Sequence, residues 1–419
     1  MLVAISMVSL LAISALAVDL GSLYAARGEI QRAADAAALA GAKAFVDSGV
    51  TTNPTNPQLQ SIAQTMAQAY ASAAAAQNLV SGGAAQLSAP PIFDFTTYPG
   101  NPQIHVTLER TGLPLFFARI WGGQFASVSA SAMAEAYNPA YSQSNTQTFV
   151  PTAPKCVKPF LVPNNDSVPG TTSPIYVDPA SGAPEPSALS LIGQPLALDS
   201  ACKMGGPGCI LPKGQLAPRK GQYLPMQVGG PHQYCPSMSA PGCSGSSSDF
   251  QKSVQCCDGT AFNFAQCGSS TPAAWDPSVN PNHAGGPVEN GLECLIHTTS
   301  NSAQQDTLDP SNLVSGTGPA LISPGPYSQS IYGLQPSDLM ATSDSIISVP
   351  LFDNSNPHLP QNVTIVGFLQ LFVGDVGSGA QSGSFNTVIL NISGCGQAIG
   401  SRAISGGGIS PIAVRLVRE

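Results

Sequence analysis

The chain has 419 residues, of which 43% are hydrophobic and only 9% are charged, whereas a typical soluble domain carries about 25% charged residues. Its 42 glycines and 38 prolines replace the missing charge, which argues against a typical cytosolic enzyme and against a charge-rich disordered tail. The net charge of -8 and the pI of about 5.0 have the wrong sign for a phosphate-binding surface, so we expect no nucleic-acid partner. The composition favours a β-rich, loop-rich protein outside the cytoplasm.

The first 18 residues contain no charged side chain. This length is about the shortest that predicts a transmembrane helix. The alternative is a cleaved signal peptide, because Ala15 and Ala17 form a small-x-small site. No basic residue precedes the apolar run, and the helical spacing continues past Ala17. We therefore predict a membrane anchor over residues 1–18, with a basic leader expected upstream of the run.

The helical pattern extends to about Asp47 as an amphipathic half. Its apolar residues recur at i, i+3, i+4 and i+7 spacing: Leu20, Leu23, Tyr24, Ile30, Ala34, Ala37, Ala38, Gly41 and Phe45. On another stripe, Glu29, Arg32 and Asp35 are three residues apart and are predicted to pair. The small residues allow close packing, either into an assembly or onto the sheet of the same domain.

These residues also carry a family resemblance. The runs AVDLGSLY over residues 17–24 and QRAADAAALAGA over residues 31–42 resemble the N-terminal segment of TadG-like proteins of the Flp (tight adherence, Tad) pilus-assembly system. The positions that carry the motif are Asp19, Gly21, Asp35 and Gly41. The resemblance implies a bacterial, single-pass membrane protein that works with other pilus-assembly proteins. Many relatives carry a metal-binding DxSxS motif, which this sequence lacks, so that adhesion function is not carried over.

A second helix and three strands are predicted to complete an α+β module over residues 19–137. The Ala- and Gln-rich segment 58–79 predicts the helix, and a short helix is predicted over residues 114–121. The strands are predicted over residues 91–98, 103–109 and 126–137. We expect the first helix to pack on the small antiparallel sheet of this pilin-like module.

After a polar linker over residues 138–154, the character of the chain changes. Residues 155–419 are predicted to form a β-rich, loop-rich domain. Clear strand patterns occur only late, at residues 345–351, 362–373, 387–392 and 412–417. The predicted fold class is therefore α+β: a transmembrane helix that continues into a small module, followed by a disulfide-containing β-rich domain.

All ten cysteines lie beyond residue 155. An even set in an exported, Pro/Gly-rich domain predicts disulfides, with a metal site or free thiols as the alternatives. Cys202–Cys209 and Cys235–Cys243 would close small loops and are the predicted local pairs, and the adjacent Cys256 and Cys257 are expected to take different partners. The full set of candidates is Cys156, Cys202, Cys209, Cys235, Cys243, Cys256, Cys257, Cys267, Cys294 and Cys395.

No catalytic or cofactor-binding motif is present in the sequence, so we expect no enzyme, no cofactor and no resident metal. The five histidines are scattered singly, and four late aspartates lack the spacing of a calcium loop. Three hypotheses remain. The first is a membrane-anchored component of a Tad-type pilus or a related secretion apparatus. The second is a surface-displayed adhesin or binding module on the same anchor, and the third is a secreted hydrolase.

Overall fold

The computed structural model covers residues 1–419. It describes the whole chain except residues 1, 98–100, 118–124, 142–150, 167–172, 216, 229–231, 238, 244–247, 258–261, 263–271, 283–284, 300–301, 316, 357–358, 378–382, 397–403, 406–408 and 418–419.

The described residues contain six α-helices. Their bounds are α1 (Leu2–Asp47), α2 (Pro57–Gln77), α3 (Asp249–Gln255), α4 (Pro287–Leu295), α5 (Ser311–Ser315) and α6 (Pro326–Tyr332).

The same residues contain twenty β-strands. Their bounds are β1 (Leu79–Val80), β2 (Gly83–Ala84), β3 (Gln86–Leu87), β4 (Ile92–Asp94), β5 (Gln103–Pro114), β6 (Phe125–Tyr137), β7 (Thr152–Ala153), β8 (Phe160–Pro163), β9 (Pro195–Ser200), β10 (Gln222–Pro225), β11 (Pro272–Ala274), β12 (Thr298–Thr299), β13 (Ser302–Ala303), β14 (Thr307–Asp309), β15 (Leu321–Ser323), β16 (Ile346–Phe352), β17 (Asn362–Val376), β18 (Phe385–Ser393), β19 (Ile404–Ser405) and β20 (Ala413–Val417).

The predicted long N-terminal helix is present as α1. Most of its predicted stripe is buried, but Leu20 and Tyr24 are wrongly placed on it, because their side chains are exposed. Of the residues that the structure describes, none belongs to a helix that is both long and apolar enough to cross a membrane. The side chains of residues 1–6, 8, 9 and 11, which belong to the predicted span, lie outside the description.

Helix α2 packs beside α1 through alanines. Asn56 caps its N-terminus by accepting hydrogen bonds from the backbone N–H groups of Gln58 and Leu59, and Pro57 suits the first helical position. The buried stripe repeats every fourth residue, as one face of a helix requires: Leu59, Ala63, Ala67, Ala71 and Ala75. These small side chains let the two helices approach closely.

Both helices contact an antiparallel sheet of order β20-β6-β5-β3, with β4 also paired to β5. Alternate residues of β5, including Ile104, Val106 and Leu108, are buried, because successive side chains of a strand point to opposite faces. The strand β20 of this sheet comes from the C-terminus and pairs Ala413 with Tyr137 of β6. The sequence assigns this strand to the second domain, and the structure places it in the N-terminal sheet.

The second sheet closes on itself. Its order is β17-β16-β8-β10-β9-β18, and β18 pairs again with β17, while β11 pairs with the first residues of β17 on the side opposite β16. The closed interior is filled by aromatic rings: Phe160 lies 5.0 Å from both Tyr223 and Phe385 between ring centroids. The contact with Tyr223 is edge-on, and such aromatic contacts stabilise the fold beyond the burial of apolar area. The fold is therefore a mixed α+β structure with a β-rich, disulfide-containing part, and this fold class agrees with the prediction from the sequence.

A buried polar network joins the end of α1 to the closed sheet. Asn391 of β18 donates to the carbonyl of Val46 (3.0 Å) and accepts from the hydroxyls of Thr51 (3.1 Å) and Thr52 (3.3 Å). It also donates to the Gln370 side chain at 2.7 Å. Since buried amides are costly unless they are paired, this saturated asparagine fixes the helix end to the sheet.

The remaining predicted elements differ in detail. Strand β5 continues to Pro114, five residues beyond the predicted end. The short helix predicted over residues 114–121 is wrong for residues 114–117, which form the end of the strand and a bend, and residues 118–121 lie outside the described residues. The late strands β16, β17, β18 and β20 lie where their patterns predict them. The domain boundaries at residues 137 and 155 stay a prediction.

Candidate functional site

Asp19 ends the uncharged run at the N-terminus and ties α1 to the sheet. Its side chain is 3% exposed, and its two carboxylate oxygens accept hydrogen bonds from the backbone N–H groups of Phe116 (2.9 Å) and Phe117 (3.0 Å). Hydrogen bonds to an ionised carboxylate are stronger than neutral ones. The motif aspartate therefore fixes the end of β5 beside the helix at the boundary of the apolar segment.

Gly41 lies where α1 approaches its neighbours closely. A Cβ atom at this position would collide with the Cδ1 atom of Ile104 on β5 and would lie 3.4 Å from the backbone oxygen of Ala67 on α2. Ile104 is completely buried. The motif glycine is thus required by the packing of one helix against both a strand and a second helix.

The other two motif positions lie at the surface of the fold. Gly21 is exposed, and a Cβ atom there would meet nothing within 4 Å. Asp35 is half-buried and accepts a hydrogen bond from Gln31 at 3.0 Å. Glu29, another member of the predicted charged ladder, accepts a hydrogen bond from the backbone N–H of Ser81 at 2.7 Å. Asp19 and Gly41 therefore have contacts within the fold that explain their residue types, whereas Gly21 does not.

The alanine-rich half of α1 covers its own domain. Among the two alternatives for this stretch, the structure buries Ala33, Ala34, Ala37 and Ala38 against α2 and the sheet. Its apolar N-terminal part is different, because the large apolar side chains described there are exposed. Leu10, Ile13 and Leu16 are each more than half exposed.

The cysteines are paired through disulfides, as predicted for the set. The bonds described are Cys156–Cys257, Cys202–Cys209, Cys235–Cys256 and Cys243–Cys294. Cys395 is also disulfide-bonded, and Cys267 lies outside the described residues.

Two of the pairing predictions are confirmed and one is wrong. Cys202–Cys209 is present, and Cys256 and Cys257 have different partners. The predicted local pair Cys235–Cys243 is wrong, because the fold brings Cys235 to Cys256 and Cys243 to Cys294 at the end of α4.

Two of these disulfides frame a cleft of about 190 Å³. Its wall includes Cys156–Cys257, Cys235–Cys256 and the buried Lys158, whose ammonium donates to the carbonyl of Cys256 at 2.7 Å. The adjacent cysteines thus bring the chain near residue 156, the loop near residue 235 and the end of α3 to one place.

A histidine–aspartate pair, His297 and Asp344, also lines the cleft. Nε2 of His297 is 3.0 Å from a carboxylate oxygen of Asp344, and the imidazole ring stacks on Tyr327 with 3.8 Å between centroids. Because a carboxylate can only accept, the proton lies on Nε2. Nδ1 is buried and has no hydrogen-bond partner in the part of the chain that the structure describes. The Asp344 carboxylate also raises the pKa of the nearby Tyr332 phenol.

Strained backbone is concentrated in this cleft. The described residues include four non-glycine residues with positive φ, and three of them line the cleft: Cys156 (58°), Tyr234 (49°) and His297 (59°). Such conformations cost roughly 1–3 kcal/mol each and gather at functional sites. Sequence reasoning missed the cleft, since it treated His297 as a scattered histidine and Asp344 as a loop acid. No metal-binding group of three or more His, Cys, Asp or Glu side chains occurs among the described residues.

Comparison with known protein families identifies the N-terminal segment. Residues 1–44 match the model of the Tad family, described as Flp pilus-assembly TadE/G-like. The matched segment ends within α1 and includes Asp19 and Gly41. Comparison with curated proteins finds no match, and comparison with solved structures finds none either.

Proposed function

We propose, with the TadE/G-like N-terminal segment as the premise, that this protein is a membrane-anchored structural component of a Tad-type (Flp) pilus or a related secretion apparatus. Its role is assembly rather than catalysis, and its partners are other pilus-assembly proteins. The observation that carries the proposal is the match of residues 1–44, which coincides with the long helix α1.

The proposed anchor is the uncharged run of residues 1–18. Seventeen helical residues at 1.5 Å each extend about 25 Å, close to the roughly 30 Å of a bilayer hydrocarbon core. The described side chains of this run support the assignment, because Leu10, Ile13 and Leu16 are turned away from the folded part. The disulfides support an oxidising compartment for the remainder of the chain, since such bonds are rare in cytosolic proteins.

A pair of matched variants tests the anchor. Leu10 and Ile13 lie within the run, and Leu20 and Tyr24 lie beyond it on the same helix, all at least half exposed. Arginine at the centre of a membrane helix costs about 2.5–3.5 kcal/mol. Leu10→Arg with Ile13→Arg should release the chain from the membrane pellet in alkaline carbonate, whereas Leu20→Arg with Tyr24→Arg should not. Equal retention of both variants would contradict the anchor.

Deletion of the gene in the native host tests the assembly role. Loss of the protein should abolish pili, and the wild-type chain should restore them. The Leu10→Arg with Ile13→Arg variant should fail to restore pili although it remains disulfide-bonded. Normal piliation in the deletion strain would refute a structural role.

The strained cleft supports a second candidate function, a surface-displayed binding module on the same anchor. Here the Nδ1 atom of His297, which has no hydrogen-bond partner among the described residues, and the exposed ring of Tyr234 would contact a ligand. Cells that carry His297→Phe should then keep their pili and lose adherence, while Phe retains the stacking on Tyr327. Loss of pili in this variant would instead favour the assembly role alone.

A further inference from the structure

Three exposed phenylalanines lie together at the end of the β5–β6 hairpin. Phe116, Phe117 and Phe125 are 63%, 40% and 61% exposed, and we name them the hairpin-end patch. Phe125 pairs with Pro114 across the two strands, so the patch lies where the strands end. Residues 118–124 lie outside the description. Neighbouring exposed aromatic side chains in a folded chain mark an interaction surface.

The direction of β5 places this patch at the N-terminal end of the amphipathic half of α1. Gly41 of the helix approaches Ile104 near the start of β5, and Gln31 donates to the carbonyl of Ser131 on β6 at 3.1 Å. Asp19 binds the N–H groups of Phe116 and Phe117 after the end of β5. The strand therefore runs back along the helix toward residue 19, where the uncharged run ends.

The surface of the helix at this level is also apolar. Leu16, Val18 and Leu20 are each at least half exposed, and the Asp19 carboxylate is buried beneath its two N–H donors. The next charged residue along α1 is Arg27, about 12 Å further at 1.5 Å per residue. The patch is thus continuous with the end of the proposed anchor.

We propose that the hairpin-end patch inserts into the interfacial layer of the same bilayer that holds the anchor. This inference rests on the proposed function. Aromatic and other large apolar side chains bind at the boundary between headgroups and acyl chains. A second contact beside the helix fixes the rotation of the folded part about the helix axis, because Asp19 joins the two contacts rigidly.

Tryptophan fluorescence in vesicles tests the insertion. The full chain is reconstituted in phosphatidylcholine vesicles with ordinary or brominated acyl chains, which quench tryptophan on contact. Phe125→Trp and Phe117→Trp should each show a blue-shifted emission and lose most of the added emission in brominated vesicles, relative to the wild-type chain. Tyr332→Trp is the matched control, since this residue is equally exposed (61%) but lines the cleft, and it should not be quenched.

The two proposals fail in different ways. If the chain stays in the carbonate pellet but neither phenylalanine variant is quenched beyond the wild type, the patch does not enter lipid and only the anchor remains. The insertion is overturned in the same way if the patch can be cross-linked to a second copy of the chain and the tryptophan variants are not quenched. If the chain leaves the pellet, both proposals are overturned. Mobility on non-reducing gels checks that each variant is folded. Because Phe117 and Phe125 are tested separately, the test still decides if one of the two variants does not fold.

Discussion

Gly41 allows a direct test of the packing between α1 and its own sheet. A side chain at this position must displace the Cδ1 atom of Ile104, which is completely buried. The backbone oxygen of Ala67, 3.4 Å from the added Cβ, limits movement in the other direction. Gly41→Leu therefore adds four carbon atoms at a position where the neighbouring atoms leave no room for them.

The magnitude follows from two opposing effects. Leucine is a better helix former than glycine by roughly 0.8–1 kcal/mol, which favours the variant. Extra methylene groups in a well-packed core cost about 1–3 kcal/mol, and occasionally more. Because Gly41 is enclosed by a strand and a helix backbone, we expect overpacking to dominate and the free energy of unfolding to fall by about 1–2 kcal/mol.

Gly28 provides the matched control for the same substitution on the same helix. A Cβ atom at Gly28 would meet nothing within 4 Å, so Gly28→Leu should raise stability by up to about 1 kcal/mol through helix propensity alone. Arg32→Ala, at an exposed position, should change it by about 0–1 kcal/mol. The measurement is the denaturant midpoint of the full chain in detergent. Equal midpoints for the Gly41 and Gly28 variants would refute the packed arrangement and favour a free-standing helix.

Three further perturbations follow from particular contacts. Arg415→Ala removes the ion partner of the buried Glu135, which should cost about 1–3 kcal/mol in denaturant melts, whereas Arg415→Lys should lose less. Replacing both Cys243 and Cys294 by Ser should cost about 2–5 kcal/mol, and peptide mapping of the wild-type chain should find Cys235 bonded to Cys256, not to Cys243. Burial opposes ionisation of Asp94, but hydrogen bonds from the two following threonines outweigh it and lower its pKa to about 2. Its unfolded pKa is about 3.9, so its ionised form stabilises the fold above about pH 4 and this contribution is lost as the pH falls towards 2. The midpoint gap between wild type and Asp94→Asn should therefore close over that interval, and a gap that stays constant would contradict the assignment.

The sequence predicts the local elements well and the long-range pairings poorly. The i, i+3, i+4 spacing that predicts α1 and the alternation that predicts β6 are properties of consecutive residues. The partner of Asp19 is set instead by the direction of a strand that begins more than eighty residues later. Likewise, nothing near Cys235 indicates that the end of α3 will contact it.

The cleft illustrates the same limit for a candidate site. His297 and Asp344 are separated by 47 residues, and neither lies in a recognisable motif. Their meeting depends on how α4 and β16 pack, and the positive φ of His297 is a property of the folded backbone. A motif search of the sequence cannot find such a site, whereas it does find a motif of nearly consecutive residues such as the one in α1.

The position of β20 has a consequence for the order of folding during export. The sheet beside α1 contains β6 from the first third of the chain and β20 from its last residues. Until β20 arrives, β6 presents an open strand edge, which is a template for pairing with other chains. The sheet that packs on α1 is therefore completed last, after the closed sheet and its disulfides have emerged. A truncated product that stops before Ala413 would retain the proposed anchor and expose this edge.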